Sequence, residues 1–218
     1  MKYLSLSLFL ILLSGATYAQ IYDVPGDYIR NTLSGKNSVP TNVIGSQYID
    51  ESFKIGTVHT GEKSFKSMIR YNAYRDEFEV KNELDKISSL LRLEDSRIEI
   101  GNKTYEIFEY INNNNEKRKA YFSVLNSGIN KLLLKEDVEL LPGQEAQSTY
   151  GTDKPPRFKE TQSYYLKLNG KPAEYIRLGK RNILKIISDK EFKNFVKAND
   201  LNLSEEEDVI ESLEFLNS

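Results

Sequence analysis

Charged and apolar residues alternate along Glu77-Phe78-Glu79-Val80-Lys81, which puts Phe78 and Val80 on one face of a half-buried strand. Ser67-Met68-Ile69-Arg70-Tyr71-Asn72 precedes it across a polar corner at Arg75-Asp76 and reads as its hairpin partner. Arg97-Ile98-Glu99-Ile100 and Tyr105-Glu106-Ile107-Phe108-Glu109-Tyr110 are joined through Gly101-Asn102. A glycine first in a two-residue loop suits a type II′ turn, whose twist matches that of the flanking strands. Strands follow at 120–125, 131–134 and 138–141, separated by polar turns at 112–115 and 126–128. Upstream, Tyr48, Ile49, Phe53, Ile55 and Val58 are spaced to dock as short strands.

The segment 142–160 contains Pro155-Pro156 and few aliphatic residues, and reads as a long surface loop. Beyond it, Tyr164-Tyr165-Leu166-Lys167-Leu168 and Ala173-Glu174-Tyr175-Ile176-Arg177-Leu178 flank Asn169-Gly170, a strong two-residue hairpin signal. Pro172 beside that turn suits an edge or strand-start position.

At Gly179 the period lengthens. Ile183, Leu184 and Ile187 have helical spacing, and Ser188-Asp189-Lys190-Glu191 matches a capping box ahead of the stripe Phe192, Phe195, Val196. Ser204-Glu205-Glu206-Glu207 repeats the device before Val209, Ile210, Leu213 and Leu216. The acids Glu205, Glu206, Glu207 and Asp208 complement the positive end of a helix dipole. They lack the spacing and glycine of an EF-hand calcium loop.

Strands grouped before helices predict an α+β fold: an antiparallel β-meander, its curling into a sandwich or half-barrel left open, then two or three short C-terminal helices. The strands read as shorter than the 9–11 residues of an outer-membrane barrel strand. Residues 1–19 carry a positive start at Lys2, an apolar run from Leu4 to Leu13 and the small-residue exit Thr17-Tyr18-Ala19, the three parts of a secretory signal peptide. The apolar run is too short to span a bilayer, so cleavage after Ala19 and export to the periplasm or the medium are expected, with no transmembrane anchor remaining. Residues 20–47 are rich in Gly, Ser, Pro, Asn and Thr and read as an extended lead-in to a single α+β domain over 48–218. That domain divides into a β-rich part at 48–178 and a helical tail at 179–218.

Composition narrows the chemistry. There is no Cys, so disulfides, thiol nucleophiles and Cys-ligated metals are excluded, and one His excludes a multi-histidine metal site. A net charge of −2 gives no overall attraction to nucleic acid. His59, in Thr57-Val58-His59-Thr60-Gly61, is read as a surface or turn residue, because no Gly-x-Ser-x-Gly elbow accompanies it. No phosphate-binding loop, dinucleotide fingerprint or zincin motif occurs. No catalytic, metal or cofactor residue is assigned and no cofactor is expected; the ligand-binding residues are unknown at this stage. Asp76, Glu77 and Glu79 read as a solvated strand face. Lys180, Arg181 and Lys185 read as a solvated helix face.

Twelve of the 14 tyrosines follow Ala19, among them Tyr71, Tyr105, Tyr110, Tyr121, Tyr164, Tyr165 and Tyr175. Tyrosine is a good strand former, and it also serves interfaces and sugar-binding surfaces. The stretch Arg70-Tyr71-Asn72-Ala73-Tyr74-Arg75-Asp76-Glu77-Phe78-Glu79 and the helical tail resemble uncharacterised signal-bearing proteins common in Bacteroidetes, over the span from Ser46 to the end. That resemblance implies an envelope or secreted location and brings no activity or site residue. The resulting expectation is an exported, non-enzymatic envelope protein whose β-rich region binds another envelope protein or a glycan. A carbohydrate-active hydrolase using two carboxylates is the alternative.

Overall fold

A computed structural model describes residues 24–31, 40, 42–112, 114–145 and 152–218. The signal peptide and its cleavage point after Ala19 lie outside the described residues, as does part of the lead-in. Eleven strands form one antiparallel sheet. They are β1 (Ile29–Asn31), β2 (Lys54–Thr60), β3 (Lys63–Asn72), β4 (Glu77–Lys81), β5 (Ile87–Leu90), β6 (Arg97–Ile100), β7 (Lys103–Ile111), β8 (Lys117–Val124), β9 (Lys131–Leu141), β10 (Arg157–Lys167) and β11 (Glu174–Ile176). Three helices follow: α1 (Lys180–Ile186), α2 (Lys190–Ala198) and α3 (Glu206–Asn217). The α+β arrangement is the expected one, and none of these helices is long and apolar enough to cross a membrane.

The strand order is β1-β5-β4-β3-β2-β6-β7-β8-β9-β10-β11. Two meanders therefore meet where β6 returns to the open side of β2. Tight turns set their registers. Thr60 pairs with Lys63 and Ile100 with Lys103, leaving two-residue loops at Gly61-Glu62 and Gly101-Asn102. Gly61 and Gly101 take φ of 55° and 60°, the left-handed backbone that the first position of such a loop requires.

Three strand expectations need correction. The runs 131–134 and 138–141 belong to one strand, β9, paired along its whole length with β10. The intervening charges are neutralised in place: Lys135 bonds Asp137, while Glu136 takes Lys103 Nζ at 2.7 Å and Tyr105 Oη at 2.7 Å. The loop expected over 142–160 ends at 156, because the polar start of β10 is a strand with little burial to mark it in the sequence. The Asn169-Gly170 hairpin is not a two-residue one, since the first strand pair below the turn is Leu166 with Glu174. Pro172 has no N–H to offer β10. Ala173 turns away from β10, donating to Glu109 O at 2.8 Å and accepting from Ile111 N at 3.1 Å on β7. The strands β3, β7, β9 and β10 also run to 10, 9, 11 and 11 residues, longer than the sequence reading allowed.

Burial explains the sheet's shape. It curls so that Phe78 on β4 meets Tyr71, Tyr105 and Tyr121 with ring centroids at 4.9, 5.1 and 5.0 Å. The opposite face of β7 and β8 is also covered: Phe122 packs on Tyr110 at 5.5 Å and on Tyr165 at 5.1 Å. Residues 120–123 and 132–136 are consequently buried without alternation, so the half-buried pattern fails in the central strands. The helices cover a third cluster, Leu132, Leu166 and Ile176, with Phe192, Val196, Val209 and Leu213. The lead-in joins the sheet as well. Val24 is buried, Ile29–Asn31 pairs with β5, and Ile44 and Tyr48 bridge to Arg157 and Asn72 across the gap between β10 and β3.

The helix stripes match expectation but the serine caps do not. Asp189, not Ser188, caps α2, its Oδ1 accepting from Phe192 N at 2.7 Å. At α3 the cap position is Glu205 without a side-chain bond, and Asp208 Oδ2 instead accepts from Asn202 N at 2.6 Å. Glu206, Glu207 and Asp208 still occupy the first turn, where the helix dipole favours them. Asp189→Ala is therefore expected to cost about 1 kcal/mol in a urea titration and Ser188→Ala about 0. Equal losses from the two substitutions would contradict this cap assignment.

Candidate functional site

The buried carboxylates come first, because a hydrolase would need two of them facing a substrate. Glu79 is 3% exposed. It is held by Arg70 Nη2 at 2.6 Å, Asn72 Nδ2 at 2.9 Å and Tyr48 Oη at 3.1 Å. Arg70 is itself clasped between the rings of Tyr48 and Phe53, at 3.8 and 4.2 Å. The solvated reading of Glu79 thus fails: β4 is buried on both faces because Tyr48, just past the lead-in, covers its outer one. Asp76 accepts from Tyr71 Oη at 2.8 Å, Tyr121 N at 3.1 Å and Arg92 Nη2 at 2.6 Å. Burial raises its pKa against the opposing pull of Arg92. Glu77 is paired with Arg30 at 2.5 Å, and Glu136 is tied as described above. These acids join strands to one another, and among the described residues none of them lines the clefts at β11.

The buried phenols carry the opposite side of the same electrostatics. Burial, with Glu79 second, pushes Tyr48 up to about 12, and burial pushes Tyr121 and Tyr165 up to about 12. Tyr71 and Tyr105 are raised further by burial next to Asp76 and Glu136, respectively. Tyr164 is pushed up to about 12 by burial and by its bond to Glu206 Oε2 at 2.7 Å.

His59 sits on the outward face of β2. Its Nδ1 lies 2.8 Å from Ser64 Oγ and its Nε2 lies 3.6 Å from Glu99 Oε2. The order serine–histidine–carboxylate looks like that of a hydrolase, yet the three residues come from adjacent positions on a sheet face and line none of the clefts described here. Among the described residues, no group of three or more His, Asp or Glu is placed to hold a metal ion.

A roomier cleft lies elsewhere, where the connection between β10 and β11 meets α1. It has a volume of about 580 Å³. Its floor is apolar: Leu166 and Ile176 are buried there, and Leu168, Pro172 and Ile186 are half-buried. Its rim is polar and exposed, made by Lys171, Glu174, Tyr175, Arg177, Asn182 and Lys185. The local sequence dictates this division. Alternation along β11 sends Ile176 under the helices and leaves Tyr175 on the other side, 56% exposed at the sheet edge. One turn of α1 then brings Asn182 and Lys185 beside the strand, with Asn182 Nδ2 donating to Arg177 O at 2.9 Å. Of the basic helix residues, Lys185 lines the cleft; Lys180 and Arg181 do not.

A second cleft of about 410 Å³ lies at the other end of β11, where Arg177 faces Glu205, Glu206 and Glu207 at the start of α3. These three acids are consecutive on one helical turn, so they do not oppose each other across a substrate. Among the residues that matter here, Lys171, Glu174, Arg177 and Asn182 went unnoticed in the sequence. The available signals were Pro172 beside the turn and the change of period at Gly179, where the strand gives way to a helix. Comparison with family models, with curated proteins and with solved structures gave no match for this chain.

Proposed function

We propose that this chain is an exported, non-enzymatic binding protein of the cell envelope, and that its β-rich region engages another envelope component at the cleft between β11 and α1. The observation that supports this is the chemistry of that cleft: an apolar floor under a rim of one exposed aromatic ring, three cations, one carboxylate and one amide. Concave, mostly apolar surfaces with a few converging polar groups are where small molecules and chain segments bind. A glycosidase would set two carboxylates across such a space, whereas the described lining holds one, Glu174. Export rests on the signal-like residues 1–19.

The test is capture from crosslinked envelopes with the tagged full-length chain and with its Tyr175→Ala variant. Tyr175 is 56% exposed and meets Tyr165 edge-on, so its removal is expected to cost about 0.5–1.5 kcal/mol and to leave the fold intact. The wild-type chain is expected to retain an enriched envelope protein or glycan that the variant loses. Recovery of the chain alone would overturn the proposal.

A further inference from the structure

We infer that the occupant of this cleft is an acidic saccharide, a hydroxyl-rich chain bearing carboxylates; the inference rests on the binding role proposed above. Lys171, Arg177 and Lys185 bring three cations to one rim beside the carboxylate of Glu174; none of the three forms a salt bridge among the described residues, although Arg177 also borders Glu205, Glu206 and Glu207 in the adjoining cleft. Elsewhere, cations near the sheet are neutralised by neighbours, as in Arg70–Glu79, Arg92–Asp76 and Lys103–Glu136. The rim carries three cations against one carboxylate, and that positive excess attracts an anion even though the whole chain carries a net charge of −2.

The remaining rim groups select among anions. Glu174 only accepts hydrogen bonds and repels a second carboxylate, so it favours a ligand that turns a hydroxyl or N–H donor toward it. Asn182 spends an N–H on Arg177 O and keeps its Oδ1 as another acceptor. Tyr175 presents an open ring plane, braced by Tyr165 at 5.9 Å in an edge arrangement, against which the C–H face of a sugar ring can lie. A chain of uronate units supplies all three partners at once: carboxylates for the cations, hydroxyls for Glu174 and Asn182, and an apolar ring face for Tyr175. An acidic peptide matches the cations but brings more carboxylates to Glu174 and few hydroxyls.

Calorimetric titration of the full chain with a galacturonate tetramer, its methyl ester and poly-glutamate tests the assignment. The tetramer is expected to bind, and the ester and poly-glutamate at least about tenfold more weakly. An Arg177→Gln/Lys185→Gln double variant is expected to lose at least about tenfold in affinity for the tetramer, with an unchanged unfolding midpoint. Equal binding of acid and ester, equal or tighter binding of poly-glutamate, or an indifferent double variant would each overturn it. If the tetramer does not bind while Tyr175-dependent envelope capture persists, the saccharide assignment falls and the binding role stands. Absence of both removes both.

Discussion

Phe78→Ala is expected to lower the unfolding free energy by about 3–5 kcal/mol, measured in a urea titration. The ring is fully buried and touches three tyrosines from three other strands, so its loss opens a cavity that aromatic neighbours of fixed shape do not fill. For a chain whose total stability is on the order of 5–15 kcal/mol, this is a large fraction of the whole, and the urea midpoint is expected to fall in proportion. Leu84→Ala is the control: Leu84 is 87% exposed at a turn, and its truncation is expected to change stability by less than about 0.5 kcal/mol. A Phe78→Ala loss no larger than the Leu84→Ala loss would show that the aromatic cluster does not hold the two meanders together.

Alkaline unfolding is the second large effect. A phenol whose folded pKa lies above its ordinary value near 10 prefers to stay neutral in the fold. Its contribution is therefore complete below pH 10 and is lost as the pH rises through 10 to about 12, the value reached by Tyr48, Tyr121 and Tyr165. For the nearly inaccessible Tyr121 this amounts to roughly 3 kcal/mol, and Tyr71 and Tyr105 resist ionisation more strongly. The expected result is a cooperative loss of sheet circular dichroism between pH 10 and 12, coincident with a steep rise in tyrosinate absorbance. Smooth ionisation of all tyrosines near pH 10 with the sheet intact would contradict it.

Two substitutions separate the individual roles. Tyr121 Oη is buried without a hydrogen-bond partner among the described residues, so Tyr121→Phe is expected to be neutral or slightly stabilising at pH 7 and to raise the alkaline midpoint. Tyr105 Oη donates to buried Glu136, so Tyr105→Phe is expected to cost about 1–3 kcal/mol at pH 7.

Local pattern was a good guide wherever burial followed a single period. The Gly101 turn and the helical stripes at Phe192 and Val209 could be recognised from neighbouring residues, because each depends on interactions a few positions apart; on β4 the alternation found Phe78 and Val80 but not the burial of Glu77 and Glu79. Lys135, Glu136 and Asp137 misled because three charges in a row look like a break between strands. Lys135 and Asp137 pair with each other, but the partners of Glu136, which are Lys103, Tyr105 and Gln162, come from distant stretches of chain. The serine caps misled because Asp189 stands next to Ser188, and one residue of phase decides which of them reaches Phe192 N. For the cleft, Lys185 and Tyr175 were among the residues singled out, but nothing near them in the chain indicates that a strand edge and a helix converge there.

Tyr165 and Tyr175 show where that boundary lies. Both follow from alternation on strands flanking one turn, they sit opposite each other in register, and their rings touch. Composition and periodicity sufficed to establish an α+β chain with aromatic strands and amphipathic tail helices, since those traits arise from the residue order alone. Tyr165 is nevertheless 8% exposed and Tyr175 is 56% exposed. The difference arises because β7 and β8 pack over one ring, while the other stands on the last strand of the sheet, and such long-range placement leaves no trace in the local sequence.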